Sequence, residues 1–173
     1  MSDTWIGLRR PLFVAFVLGC TISLIATGRL TLTLVAGSML GWAFVPAFEV
    51  LGFAVAARGD SRLSFGRRLD AFFIGHRPWT LFAIAFAALG SLLSPWQVNA
   101  WSVPIVTSFE IFGALVAIRS WFIDVEFYRN VLGRTKRDAV RAAAIQRAVS
   151  WPAIGTWFVG YAAWPLVTNV FAR

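Results

Sequence analysis

Five long apolar runs constrain this chain more than anything else in it. They cover residues 11–27, 33–57, 79–93, 103–125 and 152–171. A helix that crosses a bilayer needs about 20 predominantly apolar residues, and each run approaches or exceeds that length. The third run is the shortest and is extended by the preceding LDAFFIGH. Pro46 and Glu49 interrupt the second, and Glu110 and Arg119 lie within the fourth. Residues of hydrophobic type make up 58% of the chain and charged ones 14%, against about half and about a quarter in a soluble domain. The excess sits in the runs, so it is surface for lipid rather than for one shielded core. The expected fold is all-α: a polytopic membrane helical bundle of five transmembrane helices, with interfacial amphipathic helices on the cytoplasmic side. No polar stretch is long enough for a separate soluble unit, so residues 1–173 form a single integral membrane domain.

The charges between the runs set an orientation. Arg9 and Arg10 precede the first. Arg29 is alone in the second connection. Arg58, Arg62, Arg67, Arg68 and Arg77 crowd the third, and SPWQVNAWS, the fourth, carries no charge. Arg129, Arg134, Lys136, Arg137, Arg141 and Arg147 fill the fifth. Rich and poor connections alternate, which by the positive-inside rule places the N-terminus in the cytoplasm and the C-terminus outside a plasma (inner) membrane. Trp79, Trp121 and Trp151 fall at the inner interface, and Trp96 and Trp101 at the outer one. A net charge of +8 raises the question of nucleic acid. Here the arginines flank hydrophobic runs, where anionic lipid of the inner leaflet is the partner and nucleic acid is not.

A repeat lies inside the runs. FEVLGFAVAAR begins at Phe48 and FEIFGALVAIR at Phe109. Both place a glutamate in an apolar setting and an arginine nine residues later. Nine residues span about 13.5 Å of helix. If Arg58 and Arg119 mark the inner interface, Glu49 and Glu110 sit near the midplane at matching depth. The pattern suggests an internal duplication of 42–95 and 101–171, with the two carboxyls meeting on neighbouring helices. Such a site would bind a proton, a cation or an amine, since an intramembrane ionisable group is a functional candidate by default. The competing reading makes each glutamate a hydrogen-bonding tie between helices.

Two basic connections complete the pattern. Arg134, Arg137 and Arg141 recur at helical spacing opposite Val140, Ala144 and Ile145, as in an amphipathic helix lying in the headgroup layer. Arg67 and Arg68 stand against Phe65, Leu69, Phe72 and Phe73. Together with His76 and Arg77 these arginines form a candidate lipid-headgroup or anion site. Asp124 and Glu126 pair with arginines nearby, Arg129 or those of the first basic connection, and lock the two connections together; Asp60 and Asp70 act likewise.

Cys20 and His76 are the only residues of their kind, which excludes an internal disulfide and a zinc cage of Cys and His. VLGC ending at Cys20 loosely resembles a lipoprotein cleavage box, but TISLIA continues the apolar run beyond it, so an uncleaved buried thiol is expected. Phosphate-loop, HExxH, nucleophile-elbow and dinucleotide signatures are absent, and no cofactor or metal is expected. The leading functional expectation is a small transport or channel-like protein, homo-oligomeric or bound in a membrane complex, with a midplane acidic site and no enzymatic activity of its own. The alternatives are a non-catalytic scaffold or accessory subunit, and a membrane enzyme acting on lipid headgroups.

Overall fold

A computed structural model of the chain describes residues 2–59, 63–92 and 102–171. Asp60, Arg62, Trp96 and Trp101 lie outside the described residues. Seven helices follow in order: α1 (Asp3–Thr27), α2 (Leu32–Trp42), α3 (Phe44–Ala56), α4 (Phe65–Gly75), α5 (Arg77–Leu92), α6 (Ser102–Asn130) and α7 (Lys136–Phe171). No strand occurs among the described residues. Among the described residues, two stretches are long and apolar enough to cross a membrane: α1, and α2 with α3 taken together, Leu32–Ala56. They point to membrane association.

Local chemistry explains where the helices start and stop. The Ser2 hydroxyl accepts from the Trp5 amide at the head of α1, and Gly28 ends that helix at φ 69°, its N–H returned to the Leu24 carbonyl. Such a left-handed closing residue is open to glycine at little steric cost. The second apolar run breaks at Ala43, one residue beyond Trp42, where the Ala43 amide reaches the Leu40 carbonyl instead of that of residue 39. The cause is Pro46. It lacks an N–H, and its ring crowds the carbonyl four residues earlier, so the helix restarts at Phe44.

One end of the bundle, where α1 meets α4, is zipped together by polar contacts. Asp3 accepts from the Gly66 amide at the start of α4, and Ser64 donates to the other oxygen of the same carboxylate. Two turns later Arg9 and Arg10 both hold Asp70, at 2.9 and 2.7 Å. Paired with guanidinium donors, the Asp70 carboxyl is held below the ordinary aspartate range, the Arg9 hydrogen bond being the largest cause. Two further arginines cap the end of α3. Arg134 donates to the Ala56 carbonyl at 2.9 Å and Arg68 to the Ala57 carbonyl at 3.0 Å, which satisfies carbonyls that a helix C-terminus leaves open. Beneath them Phe53, Leu69, Phe72, Phe127, Tyr128 and Leu132 pack with Ala139, Ala142 and Ala143. Full burial of each large apolar side chain contributes roughly 1.5–3 kcal/mol.

The second basic connection departs from its expected form. Residues 136–151 belong to α7 itself and are continuous with the fifth apolar run. Ala139, Ala142, Ala143, Gln146 and Ser150 are buried, whereas Val140 and Ile145 are exposed. The buried stripe is made of small residues, so α7 approaches α3 closely instead of lying flat in a headgroup layer. Gly52 marks the closest approach: a Cβ there would stand 2.6 Å from the Gln146 carbonyl oxygen. The amphipathic helix expected in the first connection is present as the separate α4, with Gly66, Leu69 and Phe72 buried.

A cavity between five helices and its polar floor

A cavity of about 760 Å³ opens between the helices. Each wall contributes one helical stripe. From α1 come Pro11, Val14, Ala15 and Leu18. Trp42, Val45, Pro46 and Glu49 line it from the broken second run, spaced at three and four residues. His76, Trp79, Thr80, Ala83 and Phe86 face it from the α4–α5 corner and α5, Gly113, Ala114 and Ala117 from α6, and Trp151, Ile154 and Gly155 from α7. The walls are apolar and rich in aromatic rings. Among the lining residues Glu49 is the one carboxylate; Arg10 and His76 are the other titratable groups.

Glu49 is 8% exposed. Its Oε2 accepts a hydrogen bond from Gln146 Nε2 at 2.6 Å, a tie from α3 to α7 that spans 97 residues of sequence. Next to Gln146 in the chain, Arg147 holds a second buried carboxylate. Its Nε and Nη2 donate to Asp124 Oδ2 at 3.0 and 2.6 Å, Nη2 also donates to Ser120 Oγ, and Nη1 to the Ala117 carbonyl. The guanidinium stacks over Trp151 at 4.8 Å and Trp121 at 5.4 Å. Charge-assisted bonds of this kind, flanked by aromatic faces, hold an arginine in one geometry. His76 completes the floor. Its Nδ1 lies 3.1 Å from the Phe72 carbonyl, which can only accept, so that nitrogen carries the proton. Its Nε2 faces Asp124 Oδ1 at 3.9 Å.

Glu49 and His76 thus line the chamber, and Gln146, Asp124, Arg147 and Ser120 form the polar contacts behind them, drawn from α3, α6, α7 and the α4–α5 corner. No group of three or more His, Cys, Asp or Glu side chains suited to a metal ion occurs among the described residues.

Glu110 is not part of this arrangement. It is exposed, and it precedes Asp124 on α6 by fourteen residues, about 21 Å along the axis. Glu49 bonds Gln146 of α7 and faces a chamber that α6 lines through Gly113, Ala114 and Ala117 and not through Glu110. The arginines of the repeat are offset. Arg58 follows the last residue of α3, while Arg119 stands eleven residues before the end of α6 at Asn130. The arginine of the second copy thus lies about 16 Å or more deeper into its helix than that of the first, and the surroundings of the copies differ. Gly52 abuts α7, whereas a Cβ at Gly113 would meet the Phe82 ring of α5.

The remaining sequence candidates divide into two groups. Arg68 and Arg134 are turned onto the end of α3, as described above. Arg67, Arg77, Arg137 and Arg141 are exposed, apart from His76, which points into the bundle. A pocket built from these arginines around His76 is not formed. Asp124 is paired, but with Arg147 rather than with Arg129 or the first connection. Arg58, Arg119 and Glu126 are exposed, with no ion-pair partner among the described residues.

Arg147, Gln146, Ser120 and Ser150 carry no signal that singled them out in the sequence. Gln146 and Ser150 do continue the stripe of Ala139, Ala142 and Ala143 at helical spacing. Polar residues on an otherwise small, apolar face are the available sign that they are buried.

No protein-family model, curated protein or solved structure matches this chain.

Proposed function

We propose that this chain is a small multi-pass protein of the plasma membrane that binds a ligand in the chamber between its helices and passes it across the bilayer, in the manner of a transporter or channel. The observation that carries the reading is the cavity itself. Its volume of about 760 Å³ falls in the range of sites for small molecules, roughly 300–1,000 Å³, and such sites combine apolar walls with a few convergent polar groups. Glu49 is that polar group here.

In this reading α1, α2–α3, α5, α6 and α7 all span the membrane. The N-terminus is cytoplasmic, and the inner ends carry Arg67, Arg77, Arg137 and Arg141 toward anionic lipid. A second copy or another membrane subunit covers the exposed apolar face of α6 around Glu110, Ile111, Leu115 and Ile118.

One contact favours a second reading, a scaffold or accessory subunit. The Glu49–Gln146 bond joins α3 to α7, and interhelical polar bonds of this type contribute about 0.6–2 kcal/mol. A lipid-headgroup enzyme has less support, because the exposed arginines and His76 do not converge.

The readings separate by access. Cysteine introduced at Ala114 in a Cys20→Ser background lies in the chamber wall. A transport protein admits a membrane-impermeant thiol reagent to that position from each side of an oriented vesicle. Labelling from neither side, or from one side only, contradicts transport.

A further inference from the structure

We infer that the chamber's ligand is a lipophilic organic cation: an apolar, aromatic-compatible body with one amine or onium centre seated beside Glu49. The inference deepens the proposed function and rests on the chamber being a binding site.

The argument is one of charge at the cavity floor. Two fixed cations stand near it, and each already contacts a carboxylate other than Glu49, although Arg9 and Arg10 together bring one more positive charge than Asp70 balances. Arg10 binds Asp70 at 2.7 Å, and Asp70 is shared with Arg9. Arg147 binds Asp124 through two nitrogens, and its remaining donors go to Ser120 and the Ala117 carbonyl. His76 faces the same Asp124. Glu49 alone has no fixed cation as a partner. Its hydrogen bond comes from a neutral amide, Gln146. An acidic side chain that is buried, lines a cavity and lacks an arginine or lysine is costly to ionise alone, and a cationic ligand seated beside it would offset that cost.

The walls agree with this charge. Trp42, Trp79, Trp151, Phe73, Phe82 and Phe86 surround the space. Aromatic faces attract cations, most strongly when both are removed from water, and they are the usual lining for onium groups that cannot donate hydrogen bonds. The same walls offer an anion less, since Arg10, the one guanidinium among the lining groups, is drawn to Asp70. A hydrated metal ion fits poorly too: Glu49 is the one oxygen ligand of its kind in a space of about 760 Å³ lined by rings and aliphatic groups. An amphiphile of modest size matches both the volume and the chemistry.

Three probes of nearly one shape and three charges test this: tetraphenylphosphonium, tetraphenylborate and neutral triphenylphosphine oxide. Each is titrated into the detergent-purified full chain and followed by quenching of tryptophan fluorescence and by calorimetry. The expected result is saturable binding of the phosphonium at least tenfold tighter than of either other probe. That preference should fall at least tenfold in Glu49→Gln and persist in Glu49→Asp. The charge comparison on the unaltered protein stands even if a Glu49 variant fails to fold. Equal or tighter binding of the borate or the neutral probe overturns the cation inference but leaves the chamber reading intact. Saturable binding of none of the three, with Ala114→Trp indistinguishable from the unaltered chain, overturns both.

Discussion

Gln146 Nε2 on α7 donates to Glu49 Oε2 on α3 across 2.6 Å, at the one point where a glycine, Gly52, lets the two helix backbones close on each other. The acid, the amide and the glycine form a single joint. The glycine sets the approach, the approach sets the hydrogen bond, and the bond fixes a carboxyl group that lines the cavity.

Widening that joint should therefore damage both stability and the floor. Gly52→Val puts methyl groups against the Gln146 backbone oxygen. Overpacking of this kind costs about 1–3 kcal/mol, read as a lowered midpoint of thermal unfolding in nanodiscs. Gly37→Ala on α2 is the control. Nothing lies within 4 Å of a Cβ built there, and alanine within a helix is favoured over glycine by about 0.5–1 kcal/mol, so its midpoint should be unchanged or raised.

Breaking the Asp124–Arg147 pair should cost more. Asp124 is 1% exposed, and Asp124→Asn leaves the Arg147 guanidinium buried without its counter-charge. Removing one partner of a buried pair destabilises by about 3–5 kcal/mol, while replacing both with packed apolar residues is often neutral. The double variant Asp124→Leu/Arg147→Met should thus be more stable than Asp124→Asn. A double-mutant cycle on equilibrium unfolding gives the coupling. Additive single effects would show that the pair does not act as a unit.

Asp70 makes stability depend on acid. Its carboxyl is held below the ordinary aspartate value by Arg9 and Arg10. The unfolded chain binds its proton first as pH falls, so the unfolded state gains protons that the folded state resists. The stabilisation is complete above the ordinary aspartate value of about 3.9 and disappears as pH drops through the lower folded value. Asp70→Asn should lose stability near neutral pH and show a flatter profile below pH of about 4. A profile parallel to that of the unaltered chain would remove Asp70 as the cause.

The arginines at the start of α7 and just before it should divide by what they touch. Arg134→Ala frees the Ala56 carbonyl and should lower stability by about 1–3 kcal/mol, equally in zwitterionic and anionic nanodiscs. Arg137→Ala/Arg141→Ala should leave stability in zwitterionic lipid unchanged. It should also remove part of the extra stability that anionic lipid confers, about 1 kcal/mol per arginine at the surface.

Much of the architecture was legible because it follows from local rules. Apolar runs, the Pro46 interruption and the uncharged or basic character of each connection mark the helices and their breaks. Glu49 was legible as a buried acid because it stands alone in its run. Its partner was not. A repeat read as text equates Glu49 with Glu110, but equal spacing to an arginine fixes depth only if both arginines occupy the same place on their helices. Arg58 lies past the end of α3 and Arg119 lies well inside α6, so the equation fails. Arg147 was hidden for the opposite reason. Among so many exposed arginines in one connection, nothing local marks the one that turns inward. Its burial depends on Asp124, Trp121 and Trp151, which only the tertiary packing brings to it.

Reactivity of the two glutamates toward a lipophilic carbodiimide tests the central claim most directly, with each adduct located by mass spectrometry of the membrane-embedded protein. Dicyclohexylcarbodiimide should enter the chamber and modify Glu49. Filling the space with Ala114→Trp should slow that adduct at least tenfold, while any adduct at exposed Glu110 stays unchanged. No adduct at Glu49, or one indifferent to Ala114→Trp, would contradict a chamber that presents this carboxylate to a ligand.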